Sequence, residues 1–135
     1  MAHPLYVDSS VWLTIALSQT GWEIVAAALD QAQDDGYRLA SSRLLWLEAA
    51  RVATRERLIG NNVDAVLDES LNFIDQLPMT EEVWDRAASI EQHIKTLDAI
   101  HLAICEISGA TLATVGPDGA MSKVAEARGV PLLAA

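Results

Sequence analysis

The sequence lacks the features that would allow disulfide crosslinking, membrane insertion or nucleotide binding by a glycine-rich loop. Its 135 residues include a single cysteine, Cys105, which lies in an apolar run typical of a core thiol. No apolar run approaches the roughly 18 residues that a membrane-spanning helix needs. Neither Gly-x-Gly-x-x-Gly nor Gly-x-x-x-x-Gly-Lys follows a predicted strand, which argues against dinucleotide-binding and P-loop proteins.

Positive charge is also scarce, because 9 Lys and Arg residues face 19 Asp and Glu residues and the net charge is −10. This balance argues against passive electrostatic binding of nucleic acid. Any phosphate chemistry would need a divalent cation, which reverses the local charge that a phosphate meets. The start Met1-Ala2-His3-Pro4 lacks the basic residues of a secretory signal. We therefore expect a cytoplasmic protein that does not associate with membranes.

A chain of this length with 51% hydrophobic residues is expected to form one domain over residues 1–135. Strands are predicted at 4–8, 37–40, 76–79, 111–114 and 131–133. Helices are predicted at 11–17, 22–33, 43–58, 63–74, 80–93, 97–108 and 118–128. This alternation indicates a three-layer α/β/α domain with a central, mainly parallel sheet of about four to five strands.

Two acidic residues follow predicted strands. Asp8 comes after the first strand and Asp118 comes after the strand at 111–114. In open parallel sheets, ligands bind at the carboxyl ends of the strands, so both acids are candidates for a binding site. The alternative for each is a structural role as the N-terminal cap of the helix that follows.

Two further acids occupy helical positions that need an explanation. Glu48 shares a helix face with Leu44 and Val52, which should point at the sheet, so it needs a partner or a cation there. A salt bridge with Arg51 is the alternative. Asp98 lies in the first turn of an almost wholly apolar helix, where the helix macrodipole alone could stabilise it.

We expect these four acids to converge on a hard divalent cation, Mg²⁺ or Mn²⁺, because such ions prefer oxygen ligands. His101 lies one turn after Asp98 and could join them. A hydrogen-bonded histidine in the core or at its rim is the preferred interpretation, because imidazole suits softer metals better.

One predicted helix is basic in this acidic chain. Its arginines could contact an RNA backbone or form a solvated face of mixed charge with Glu56; they are Arg43, Arg51, Arg55 and Arg57. Trp46 lies off the face of Glu48 beside three alanines, so it is a candidate for a subunit or partner surface.

Three segments of the chain resemble motifs of the PIN-domain ribonucleases, and within them the VapC-type toxins of bacterial toxin–antitoxin pairs. The segment 6–10, Tyr-Val-Asp-Ser-Ser, is similar to the opening strand motif of the family, and 44–48, Leu-Leu-Trp-Leu-Glu, to its helix with one inward Glu. The segment 97–103, Leu-Asp-Ala-Ile-His-Leu-Ala, matches its most specific signature. The region around Asp118 has the family's spacing, but Gly116 occupies the position of its usual Thr and the nearest Thr is Thr114.

The resemblance covers essentially the whole chain and implies a metal-dependent endoribonuclease acting on tRNA or other structured RNA. It also implies a cognate antitoxin as inhibitor and a homodimer. The four acids Asp8, Glu48, Asp98 and Asp118 would hold the Mg²⁺ or Mn²⁺, with Asp8 and Asp98 as the main ligands. Ser10 would orient a carboxylate or a metal-bound water. We expect the inhibitory segment of the antitoxin to be basic, because it must enter an acidic cleft.

Two other classes of function are compatible with parts of the sequence. A phosphatase with an aspartate nucleophile also begins with a strand that ends in Asp, but its chemistry usually needs a second acid two residues later, where this chain has Ser10. A catalytically silent PIN fold that serves only as a binding module is the other alternative. The presence of all four acids argues against it.

Overall fold

The computed structural model describes residues 2–115 and 119–134. The strands are β1 (His3–Tyr6), β2 (Tyr37–Ser41), β3 (Asp75–Gln76), β4 (Thr111–Thr114) and β5 (Leu132–Ala134). The helices are α1 (Ser9–Ala16), α2 (Trp22–Asp34), α3 (Arg43–Leu58), α4 (Asp64–Leu71), α5 (Glu81–Ala88), α6 (Thr96–Ser108) and α7 (Ala120–Ala127). The strands form one sheet in the order β3-β2-β1-β4-β5, and each neighbouring pair is parallel.

The pleat of β1 divides the core into two parts. Successive residues of a strand point to opposite faces, so Leu5 and Val7 face one way and Tyr6 the other. Leu5 and Val7 belong to a core with α1 to α4, whereas Tyr6 belongs to a second core formed mainly by α5, α6 and α7. Helices therefore cover both faces of the sheet, which confirms the predicted three-layer α/β/α architecture.

The sheet order places a change of direction at the central strand. After β1 the chain adds β2 and β3 on one side, and it then returns to place β4 and β5 on the other side. The carboxyl ends of β1 and β4 therefore border the crevice in which ligands bind to open parallel sheets. Pro4 lies within β1 but pairs only with Arg38 of β2, because β4 first meets β1 at Leu5. The missing N–H of this proline is thus tolerated near a strand end, as predicted.

Several predicted boundaries are wrong. The third strand was predicted at 76–79 but comprises only Asp75–Gln76, because Pro78 has no N–H to extend the pairing. The helix predicted to reach His93 ends at Ala88, and Ser89 donates its hydroxyl to the Arg86 carbonyl at 2.7 Å. A local hydrogen bond of this kind competes with continuation of the helix.

Three other helices also differ from their predicted limits. The helix predicted at 63–74 is shorter, Asp64–Leu71. Thr96, the predicted cap of the apolar helix, is instead its first residue, and Lys95 occupies the capping position without a side-chain hydrogen bond. The helix predicted from Asp118 begins at Ala120, because Gly119 is its extended cap residue, and Gly116 and Asp118 lie outside the described residues. Among the described helices, none has both the length and the apolar composition needed to cross a membrane.

Candidate active site

Asp8 lies at the point where β1 gives way to α1. Its Oδ1 accepts hydrogen bonds from the backbone N–H of Val11 at 3.1 Å and from the hydroxyl of Ser10 at 2.7 Å. Asp8 therefore caps α1, as the structural alternative predicted. The carboxylate is only 9% exposed, and it borders a cavity of about 90 Å³ between the ends of β1 and β4. Capping uses Oδ1 only, so in the described structure the second oxygen of Asp8, Oδ2, can still bind a ligand at the crevice.

Glu48 reaches the same region from α3. Its Oε2 accepts a short hydrogen bond from the hydroxyl of Ser9, the residue that follows Asp8. The predicted alternative, a salt bridge with Arg51, is not formed, and Arg51 is exposed. Glu48 is half-buried, so its carboxylate is held by a neutral hydroxyl and its charge is not compensated by a basic side chain.

Asp98 approaches from the opposite layer, in the first turn of α6. It is half-buried, and in the part of the chain that the structure describes it forms neither a hydrogen bond nor an ion pair through its side chain. The amino-terminal end of the helix dipole favours a carboxylate here. That contribution is modest at a partly exposed position, so most of its charge remains unpaired.

His101 is a buried group on which all three acids act electrostatically. It lies one turn after Asp98 on α6 and is only 4% exposed. Burial lowers the pKa of His101, and the negative charges of Asp8, Glu48 and Asp98 act in the opposite direction. Carboxylates from β1, α3 and α6 therefore all act on one buried imidazole.

The imidazole of His101 belongs to a buried hydrogen-bonded chain. The hydroxyl of Tyr6 donates to Oγ of Ser42 at 3.0 Å and is paired with Nδ1 of His101 at 2.5 Å. Burial raises the pKa of the Tyr6 hydroxyl well above its ordinary value, so it stays protonated. The interpretation of His101 as a hydrogen-bonded core histidine agrees with this geometry. Ser42, at the N-terminal cap position of α3, bonds Tyr6 and makes no capping hydrogen bond.

The chemistry of the donors suits a hard divalent cation, since the three acids supply carboxylate oxygens and none of them pairs with a lysine or arginine in the described structure. Over residues 2–115 and 119–134, however, no three Asp, Glu, His or Cys side chains are grouped closely enough to share a metal ion. The fourth predicted ligand, Asp118, lies outside the described residues. The charge and the donor type fit a metal, while a preformed ligand group is not seen.

The predicted basic residues divide into two kinds. Arg57 forms an ion pair with Asp64, in which one guanidinium nitrogen, Nη1, donates to both carboxylate oxygens at 2.7 and 2.8 Å, and thereby links α3 to α4. Arg43, Arg51 and Arg55 are exposed, and in the described structure their side chains form no hydrogen bond or ion pair. These three arginines remain available to an external anion.

Two other predicted roles can be compared with the structure. Cys105 is buried, and burial raises its pKa to about 12, so it is a core thiol as predicted. Trp46 lines a cavity of about 330 Å³ that includes Ala49, Ala50 and Ala53. Its half-buried ring packs against the core of α1 to α4, and its role at a partner surface stays a prediction.

Sequence reasoning missed three hydroxyl residues of this region: Ser9, which bonds Glu48, and Tyr6 and Ser42, which bond each other beside His101. Tyr6 carried a usable signal, because a hydroxyl on a fully buried strand residue needs a hydrogen-bond partner. Its partners are 36 and 95 residues away in sequence, and no local pattern identifies them.

The model of the PIN domain family matches residues 5–127 of this chain. No curated protein matches the sequence. Among solved structures, VapBC2 from Rickettsia felis bound to promoter DNA is similar with a TM-score of 0.76 at 11% identity, covering 97% of this chain and 98% of the other.

Two further solved structures have similar folds. A toxin–antitoxin complex from Klebsiella pneumoniae has a TM-score of 0.63 at 17% identity, covering 84% of this chain and 88% of the other. FitAcB from Neisseria gonorrhoeae has a TM-score of 0.64 at 20% identity, covering 96% of both chains. At these identities the likeness shows a shared fold.

Proposed function

Because the chain belongs to the PIN domain family, we propose that it is a metal-dependent endoribonuclease and the VapC-type toxin of a toxin–antitoxin pair. One observation carries the proposal. Asp8, Glu48 and Asp98 come from three different elements, act on the same buried histidine, and have no basic partner in the described structure. Unpaired charge of this kind is costly unless a cation binds to it.

Asp8 and Asp98 would hold Mg²⁺ or Mn²⁺ directly, with Glu48 and Asp118 as further ligands or holders of water. Bound there, such an ion supplies a water of lowered pKa and offsets the charge that develops on a phosphodiester. Ser10 keeps the Asp8 carboxylate in one orientation through its 2.7 Å hydrogen bond. The buried Cys105 cannot serve as a nucleophile at neutral pH, so hydrolysis by water is the chemistry that these residues favour.

RNA would be held by the exposed arginines of α3. Arg43, Arg51 and Arg55 lie on the helix that also carries Glu48, so a phosphate backbone bound along α3 would pass the acids. Contacts of this type fix the position of the backbone but do not read its sequence. Structured RNA such as tRNA is the substrate class that we propose.

The first test is incubation of the purified protein with total RNA over a series of Mn²⁺ concentrations, followed by mapping of the cut ends. We expect discrete cuts that require Mn²⁺ or Mg²⁺ and disappear with a chelator. Metal binding without cleavage would instead favour the catalytically silent binding module. Release of phosphate from small esters without RNA cleavage would favour the phosphatase.

We also propose a cognate antitoxin whose basic segment enters the acidic site, together with a homodimeric toxin. The similar structures from Rickettsia felis and Klebsiella pneumoniae are described as VapBC2 and as a toxin–antitoxin complex. An arginine can pair with clustered carboxylates in bidentate geometry. The combined change of Asp8→Asn and Asp98→Asn should therefore weaken antitoxin binding in a titration. Unchanged affinity would place the antitoxin entirely on other surfaces.

A further inference from the structure

Tyr6, Ser42 and His101 form a buried chain of hydrogen bonds. Its members come from the same three parts of the fold as Asp8, Glu48 and Asp98. Tyr6 lies two residues before Asp8 at the end of β1. Ser42 occupies the N-terminal cap position of α3, the helix that carries Glu48. His101 lies one turn after Asp98 on α6. Each member of the chain is thus attached to the element that presents one of the three carboxylates.

We propose that Tyr6, Ser42 and His101 are positioning residues that fix these three elements, and through them Asp8, Glu48 and Asp98, relative to one another, so that the carboxylates can gather around a divalent cation when it binds. The inference rests on the proposed metal-dependent function and names the residues that regulate its geometry. None of the three is required to touch the ion or the RNA.

Among the described residues, the hydroxyl of Tyr6 is the only side-chain group that hydrogen-bonds both to Ser42, at the cap of α3, and to His101 of α6. Its hydrogen bonds to Ser42 at 3.0 Å and His101 at 2.5 Å cross from the sheet to a helix of each layer. Both tyrosine and serine are fully buried, so water cannot replace a lost partner easily. A satisfied buried network of this kind specifies one arrangement of the elements that it joins.

The acids themselves provide no equivalent connection between the layers. Glu48 is linked to the β1 side through Ser9, but the side chain of Asp98 has no hydrogen bond in the described residues. Without the buried chain, apolar packing would be what holds α6 near β1 and α3 in the described structure. Apolar contacts tolerate small shifts, whereas metal ligation requires closely defined distances.

The imidazole suits this role because it is held neutral. Burial lowers the pKa of His101 against the opposing charges of Asp8, Glu48 and Asp98, the acidic groups that act on it from β1, α3 and α6. A neutral ring pairs with the Tyr6 hydroxyl without compensating the carboxylates. Their charge is then left for a cation.

The test compares Tyr6→Phe with Tyr37→Phe, the same change at the other tyrosine of the chain. Tyr37 is the first residue of β2 and packs edge-on against His3, at the end of the strand away from the acids. Binding of Mn²⁺ is measured by calorimetry in the absence of RNA, well below the unfolding temperature of each protein. We expect Tyr6→Phe to weaken Mn²⁺ binding about 10-fold, the lower end of the effect of groups that orient metal ligands. Tyr37→Phe should bind as the wild type does.

Two more variants keep the test decisive if Tyr6→Phe folds poorly. Ser42→Ala removes the other end of the chain, and His101→Asn retains a polar group near the position of Nδ1 without an ionisable ring. We expect Ser42→Ala to weaken Mn²⁺ binding, and the double variant with Tyr6→Phe to be no weaker than the worse single variant, because both break one network. His101→Asn should bind Mn²⁺ better than His101→Ala.

The outcomes separate this inference from the function on which it rests. If the wild type binds Mn²⁺ and cleaves RNA while Tyr6→Phe and Ser42→Ala bind Mn²⁺ equally well, the positioning role is overturned and the nuclease stands. If the wild type neither binds Mn²⁺ nor cleaves RNA, both are overturned.

Discussion

Helix α6 carries one partly buried carboxylate near each end, Asp98 and Glu106. Of these two, only Glu106 forms ion pairs with arginines in the described structure. Near the carboxyl end, Glu106 accepts from Arg128 at 2.6 and 3.1 Å and from Arg86 at 3.2 Å. These hydrogen bonds hold the pKa of Glu106 below its ordinary value, against the opposing effect of burial. Near the amino end, Asp98 has no basic partner in the described structure.

The difference separates a structural acid from a functional one. Arg128 and Arg86 attach Glu106 to α7 and α5, so its charge helps to hold the second layer together. Asp98 acts on His101 together with Asp8 and Glu48, and repulsion among these carboxylates opposes folding in the absence of a cation. An acid that does not stabilise the fold at its own position is a good candidate for ligand binding.

The largest expected effect comes from removing the charge of Asp98, the carboxylate near the amino end of α6. Asp98→Asn keeps the shape of the side chain but removes a proposed ligand charge, and we expect Mn²⁺-dependent cleavage to fall by more than about 100-fold, beyond the effect of supporting groups. Its unfolding temperature without metal should be unchanged or higher, because repulsion among the acids is relieved.

Glu106→Gln is the matched control on the same helix. It should cleave RNA as the wild type does, but unfold at a lower temperature. The contrast between the two ends of α6 would fail if Asp98→Asn stayed active, or if Glu106→Gln lost activity at temperatures where it is folded.

Asp118 is the fourth proposed metal-binding acid, and a variant can test whether it belongs with the other three, although it lies outside the described residues. The segment 115–119 is rich in turn-forming residues, and we expect its acid to be held less firmly than Asp8 or Asp98. Asp118→Asn should reduce Mn²⁺ binding and cleavage by about 10- to 100-fold, as for supporting metal-site groups, with partial rescue by excess Mn²⁺.

Cleavage by Asp118→Asn and by Asp98→Asn, measured over a series of Mn²⁺ concentrations, decides whether Asp118 contributes as much to the site as Asp98 does. Equal inactivity at every metal concentration would make it a full member of the site. Full activity would reduce it to a helix cap, and three acids would then form the site.

The sequence predicted the layers of the fold, because strand ends and helix faces follow from local patterns. Asp8 at a strand end, Glu48 on α3 and Asp98 in the first turn of α6 occupy the elements that those patterns imply, and all three act electrostatically on His101, while their role as metal ligands stays a prediction. Arg51, the alternative partner considered for Glu48, is three residues away on the same helix but is exposed, whereas Ser9 on another element supplies the hydrogen bond. Contacts between distant elements depend on tertiary packing, which a local pattern does not contain.

Ser9 provides a smaller test of how the unpaired acids are oriented. Its hydroxyl bonds to Glu48, and no basic side chain takes its place in the described structure. We expect Ser9→Ala to weaken Mn²⁺ binding by up to about 10-fold, since it removes the orientation of a ligand but leaves the charge. Ser70→Ala, which removes a hydroxyl that bonds to the Leu67 carbonyl on α4, is the control and should bind Mn²⁺ normally. Equal affinities for the two variants would show that Glu48 needs no orientation by Ser9.

The smallest effect is expected for Glu106, in how its contribution to the stability of the fold changes with pH. Because the pKa of folded Glu106 lies below its unfolded value of about 4.3, its ionised form contributes stability above that pH and loses it as the pH falls through the folded pKa. At neutral pH, Glu106→Gln should cost about 1 kcal/mol, as expected for partly exposed ion pairs with good geometry. Thermal unfolding of both proteins from pH 7 to pH 3 should show the difference shrinking as the pH falls below about 4.3, the ordinary pKa of the unfolded carboxyl group, towards the lower folded pKa. A difference that stays constant to pH 3 would mean that glutamine costs stability through packing, and the charge of Glu106 would then matter no more to the fold than that of Asp98.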